Sequence, residues 1–165
     1  MLRGNLSFCK LYSRSTDEFE KVTTNPVCYG TRDSSPGSFK VTQSAQITEV
    51  KLVHFSGYVR CGTSLPESYW ACDCCYKADT VLTLVTNANN NPLFPSRQFN
   101  TRVGHNEISL PGFYHKSPEL VLPSPIVGPP IQVSKGDILK IWFSEDFVKF
   151  TTSNNSGQHL SLIHI

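Results

Sequence analysis

Thr80-Val-Leu-Thr-Leu-Val-Thr86 decides the fold class of this 165-residue chain. Every residue is β-branched or leucine and none is charged, which suits a pleated strand buried on both faces and predicts a central strand of a two-layer core. Asn87-Ala-Asn-Asn-Asn-Pro-Leu-Phe-Pro95 then stops it. Asn favours turns and Pro removes a ladder donor, so no strand is expected over those nine residues.

Working outward, Ile47-Thr-Glu-Val-Lys-Leu-Val-His-Phe55 alternates imperfectly between apolar and polar, as a strand with a bulge or a change of face would. Tyr58–Cys61 continues it beyond Gly57. Ile138-Leu-Lys-Ile-Trp-Phe143 is apolar on both parities, so burial on both sides is expected near its start, with Trp142 filling the core. Shorter strands are read at Val27–Gly30, Phe39–Thr42, Glu107–Leu110, Pro118–Leu122 and Ile131–Val133. Turns such as Asn25-Pro26, Asp33-Ser-Ser-Pro-Gly37 and Ser134-Lys-Gly-Asp137 separate them. Glu145-Asp146 is read as opening a polar loop that runs to Ser153-Asn-Asn-Ser-Gly157. Seven to nine short strands without helical stretches predict an all-β, antiparallel sandwich or jelly roll.

Composition agrees with this reading. At 39% hydrophobic the chain can bury one core but hardly two, and its 17% charged residues give way to 11 Pro, 10 Gly and many Ser, Thr and Asn, as in turn-rich β chains. The domain is placed at residues 25–159. Residues 1–24 are read as a leader, a linker or the tail of a preceding module. Leu160-Ser-Leu-Ile-His-Ile165 has the look of translated sequencing-adapter sequence, so neither a strand nor a histidine site is expected there. A net charge of +2 without a basic stripe argues against nucleic acid, and no apolar run approaches the ~20 residues of a membrane span. Met1–Ser13 lacks the apolar core of a signal peptide, so either the native start lies upstream or the chain is not exported. The cysteines favour the first.

Five of the six cysteines fall between Cys28 and Cys75. In a loop-rich β chain they point to an oxidising, extracellular compartment and to disulfides among Cys9, Cys28, Cys61, Cys72, Cys74 and Cys75. Six cysteines allow 15 pairings; Cys28–Cys61 and Cys61–Cys72 are candidates, each contributing roughly 3 kcal/mol through loop closure. Zinc on Cys72-x-Cys74-Cys75 with Cys61 or His54 is the weaker alternative, because adjacent cysteines rarely chelate one ion.

No catalytic motif accompanies His54, His105 or His115. A hydrolase would have to combine the Glu145–Asp146 and His105–His115 loops. A better use of Glu145, Asp146, Asn154 and Asn155 is oxygen ligation of a structural calcium, set against the simpler expectation of a solvated acidic loop with no cofactor. Asn5-Leu-Ser7 and Asn154-Asn-Ser156 match the glycosylation acceptor at Asn5 and Asn154. Tyr58, Tyr69, Phe113 and Tyr114 are the aromatics expected to contact a ligand.

Several motifs in fixed order, among them Pro26-Val-Cys-Tyr-Gly-Thr-Arg-Asp33, Lys51-Leu-Val-His-Phe-Ser-Gly-Tyr-Val-Arg-Cys61, Tyr69-Trp-Ala-Cys72 and Ile141-Trp-Phe-Ser-Glu-Asp146, resemble a cysteine-containing module of cnidarian secreted proteins, coral skeletal organic-matrix proteins included. The resemblance spans residues 25–158 and implies Cys28, Cys61 and Cys72 as the framework cysteines, with Cys9, Cys74 and Cys75 as extras. A further cysteine normally follows the segment matching Asn154–Gly157, where this chain has His159 and the tail. It implies no activity. The expectation is a non-enzymatic extracellular module that binds a glycan, a matrix component or another protein, with a spacer domain as the alternative.

Overall fold

The computed structural model describes residues 19–73, 79–102, 107–125, 128–149 and 152–165. Among these the chain forms β1 (Val27–Gly30), β2 (Gly37–Lys40), β3 (Ala45–Ile47), β4 (Glu49–Gly57), β5 (Thr80–Val81), β6 (Thr83–Asn87), β7 (Pro92–Phe94), β8 (Asn100–Arg102), β9 (Glu107–Ser109), β10 (Glu119–Pro123), β11 (Ile131–Val133), β12 (Ile138–Phe143), a helical turn α1 (Ser144–Val148) and β13 (Gln158–His164). All pairings are antiparallel. One sheet runs β1-β13-β4-β10 and the other β2-β12-β6-β7, with β5-β9-β8 and β11-β3 as smaller sheets. The expected β-sandwich is the architecture found.

Residues 80–86 are buried throughout, as predicted for a central strand. They serve two sheets, because the ladder changes partner at Leu82. Val81 pairs with Ile108 of β9, whereas Thr83 pairs with Phe143 of β12, and Leu82 itself donates its amide to the Trp70 carbonyl at 2.6 Å. Leu52, Leu120 and Leu122 from one sheet, and Leu139, Ile141 and Phe143 from the other, form the core between the layers. The predicted bulge in β4 is real: Leu160 pairs with Ser56 and Ser161 with His54, so Phe55 is the extra residue and stands 58% exposed.

Three expectations are corrected. The Asn-rich stretch does not end the ladder but turns it into a hairpin. The Asn87 carboxamide oxygen accepts the amides of Asn89 and Asn91, Asn90 takes a left-handed φ of 63°, and Pro92 is tolerated because β7 is an edge strand. In β12 burial on both faces comes at the end, at Ile141–Phe143, rather than at the start; Trp142 sends its indole N–H to Thr86 Oγ1 at 3.2 Å. The largest correction is the tail, for residues 158–164 are the strand between β1 and β4, with Ile163 fully buried. Its alternation of Leu160 and Leu162 with Ser161 and Ile163 fits a slot whose two neighbours would otherwise leave backbone groups unpaired.

Candidate functional site

The Thr31–Ser35 loop, which joins β1 to β2, is built on two strained residues. Asp33 and Ser34 both have positive φ, 64° and 54°, a conformation non-glycine residues hold only where the surroundings impose it. The imposing group is Asp146 of α1, 3% exposed. One of its carboxylate oxygens accepts the Ser34 amide at 3.0 Å and the other the Ser35 amide at 2.9 Å. The Gly30 amide closes the loop onto the Ser35 carbonyl at 2.8 Å. The loop is thereby fixed before any ligand arrives.

That loop forms one wall of an open groove of about 360 Å³, and Tyr58 with the Ser156–Gln158 segment forms the other. Tyr58 is held by its amide on the Gln158 carbonyl, 2.9 Å, and by the absence of a side chain at Gly157. A Cβ at Gly157 would lie 2.9 Å from the Tyr58 ring and closer still to its carbonyl oxygen, and φ there is +101°. Gly157→Ala is therefore expected to destabilise the fold by about 2 kcal/mol and to displace the Tyr58 ring, measurable as a lower urea midpoint. The guanidinium of Arg60 sits 5.3 Å from the ring centroid and is paired with Glu67 at 2.6 Å. Exposed Arg32 and Asp33, 3.4 Å apart, stand on the rim. An aromatic wall with charged and amide groups around it can stack on an apolar face while hydrogen-bonding hydroxyls.

The other sequence candidates are dispersed. Of the four aromatics, Tyr58 lines the groove. Tyr69 is stacked on His54 at 3.7 Å, Phe113 packs against the core, and Tyr114 is 50% exposed at a turn. Each of the four calcium candidates is hydrogen-bonded within the protein, two of them to each other. Asp146 is committed to the loop; Glu145 and Asn155 meet at 2.9 Å inside the molecule; Asn154 donates to the Cys61 carbonyl at 3.0 Å. Asn154 is exposed, and Asn5 lies outside the described residues. His115 pairs with Asp73 at 3.0 Å, and the acidic pair Glu145-Asp146, expected in a solvated polar loop, is buried. His105 lies outside the described residues.

Cys61 and Cys72 form a disulfide, one of the two candidate bridges, while Cys28 is free and exposed. Cys9, Cys74 and Cys75 lie outside the described residues.

Sequence reasoning missed a chain of three rings that runs from buried Tyr29 and His159 to half-buried His54. The Tyr29 hydroxyl lies 2.7 Å from His159 Nδ1, and His159 Nε2 lies 2.6 Å from His54 Nδ1. Trp70 meets His159 edge-on at 4.5 Å, its indole N–H donating to the Ser117 carbonyl. Burial, reinforced by the neighbouring His54, lowers the His159 pKa to about 3; burial also lowers that of His54 and pushes the Tyr29 hydroxyl up. No local signal marks this set, whose members are brought together by strand pairing across more than 100 residues.

No family model and no curated protein matches the chain. A solved structure does: AJLec from the sea anemone Anthopleura japonica superposes with a TM-score of 0.79 at 28% sequence identity, over 89% of this chain and 95% of that one. The sandwich is thus similar to that of a cnidarian protein over nearly its whole length, as the sequence resemblance implied in part.

Proposed function

We propose that the chain is a non-enzymatic, extracellular glycan-binding module whose ligand lies in the groove between the Thr31–Ser35 loop and Tyr58. The observation that carries this reading is the pre-set loop, in which a buried carboxylate holds two left-handed residues against an aromatic wall. Sugars bind weakly per contact, so a wall that is ordered beforehand removes part of the entropic cost of recognition. The similarity to AJLec, whose name marks a lectin, supports the class of ligand, and the Cys61–Cys72 disulfide supports an oxidising compartment. Adhesion or attachment to matrix is the role such binding would serve.

A glycan array identifies the ligand, and titration calorimetry with and without a calcium chelator measures it. Tyr58→Ala is expected to weaken binding roughly tenfold, the size of a lost ring contact, while the fold is retained. A blank array, or a Tyr58→Ala protein with unchanged affinity, would overturn the assignment and leave the spacer role.

A further inference from the structure

Glu145 is a carboxylate buried, at 6% exposure, against the disulfide, with its Oε1 4.0 Å from Cys72 Sγ. The Sγ atoms of Cys61 and Cys72 and a carboxylate oxygen of Glu145 all lie within 4.8 Å of one another, and all three residues are buried. We infer that when Cys61–Cys72 is reduced, Cys61, Cys72 and Glu145 become a zinc site, so that this bridge is one state of a thiol–metal pair. The ligand set differs from the Cys72-x-Cys74-Cys75 set weighed from sequence, since its third ligand comes from α1.

Geometry favours the site. Tetrahedral zinc holds two thiolate sulfurs about 3.8 Å apart and a sulfur and a carboxylate oxygen about 3.5 Å apart. The Cys61 and Cys72 Cα atoms are 5.5 Å apart, so rotation of the side chains opens the sulfurs to that spacing without moving the backbone. The supporting contacts are in place. Asn155, 1% exposed, donates from Nδ2 to Glu145 Oε2 at 2.9 Å and to the Thr31 carbonyl at 3.3 Å, while Glu145 Oε1 lies on the side of Cys72 Sγ. Asn154 fixes the backbone at Cys61. Such outer partners orient ligands in metal sites generally. Three protein ligands leave the fourth tetrahedral position to a water molecule.

Chemistry closes as follows. An external dithiol gives two electrons and two protons to the S–S bond, leaving as its own disulfide, and produces two thiols. Zinc then forms two Zn–S bonds and one Zn–O bond, and the two thiol protons pass to solvent. Two thiolates and a carboxylate buried together are tolerated only with a cation among them, so zinc and reduction stabilise one another.

The test uses the full chain carrying Cys9→Ser, Cys28→Ser, Cys74→Ser and Cys75→Ser, which leaves the Cys61–Cys72 pair as its cysteines. It is reduced with a trialkylphosphine, which takes its oxygen from water, and titrated with Zn²⁺ against a chromogenic chelator. One Zn²⁺ per reduced chain and none per oxidised chain is expected, with affinity at least tenfold lower in Glu145→Gln and intermediate in Glu145→Asp. Substituting Co²⁺ reports the ligands directly through a thiolate-to-metal charge-transfer band whose intensity corresponds to two thiolates. A reduced chain that retains no zinc overturns the inference, as does binding that Glu145→Gln and Glu145→Asp leave unchanged.

Discussion

Asp146→Ala is expected to lower the unfolding free energy by about 3 kcal/mol and to abolish glycan binding in a protein that still folds. The stability loss follows from two charge-assisted hydrogen bonds to backbone amides, each worth roughly 1.5–3 kcal/mol when broken, less what water recovers at the partly exposed Ser34 and Ser35 amides. The binding loss has a different origin. Without the carboxylate the loop keeps the Gly30–Ser35 hydrogen bond but loses the contacts that fix the Ser34 and Ser35 amides, and Asp33 and Ser34 relax from positive φ toward conformations costing less by about 1–3 kcal/mol per residue, which takes the groove wall with it. Asp146→Asn separates the two effects, because its amide keeps the shape and one acceptor while losing the charge. Urea unfolding and calorimetry on the same preparations check the pair of numbers. A loss below about 1 kcal/mol in Asp146→Ala would show that the loop is held by something other than this side chain, since that is less than one neutral hydrogen bond typically contributes.

Asp146 also shows what sequence patterning could and could not convey. The acidic pair after Ile138–Phe143 is visible as chemistry, but its environment is set by partners more than 100 residues away, at Ser34 and Ser35. A polar dipeptide after a strand is most often solvated, whereas here both acids are buried. Strands whose residues choose their own conformation were legible: residues 80–86, the bulged β4 and the apolar β12 all form where alternation and β-branching put them. Elements decided by their neighbours were not. β7 exists because β6 offers it an edge, and β13 because β1 and β4 offer it a slot. The groove aromatic Tyr58 was legible as a residue, and its pairing with the Asp33-Ser34 loop was not, because sheet register and α1 create that proximity.

The fold is expected to be markedly acid-labile above the range in which carboxylates titrate, and His159 is the principal cause. In the folded chain its pKa is held near 3 by full burial and by His54, while in the unfolded chain it returns to about 6.5. Above pH 6.5 both states carry neutral imidazole and the stability is complete. As pH falls below 6.5 the unfolded chain takes up a proton that the folded chain refuses, so stability declines by about 1.4 kcal/mol per pH unit until the folded pKa is reached. Between pH 7.5 and pH 5 this amounts to about 2 kcal/mol from His159. His54 and His164, whose pKa values burial also lowers, add in the same direction just below pH 6.5. Burial is the main reason the proton is refused, and the neighbouring His54 adds to it. Tyr29 lies on Nδ1 and His54 on Nε2, and neither brings a negative charge that would offset an imidazolium. His159→Gln removes the titrating group while keeping an amide donor and acceptor for the same neighbours. Its stability at pH 7.5 is expected to be lower than that of the parent, yet its decline from pH 7.5 to 5 is expected to be shallower by about 2 kcal/mol. Urea unfolding at half-unit pH steps gives both slopes. Equal slopes in the two proteins would mean that His159 takes up its proton in the folded state as readily as in the unfolded one, which overturns this account.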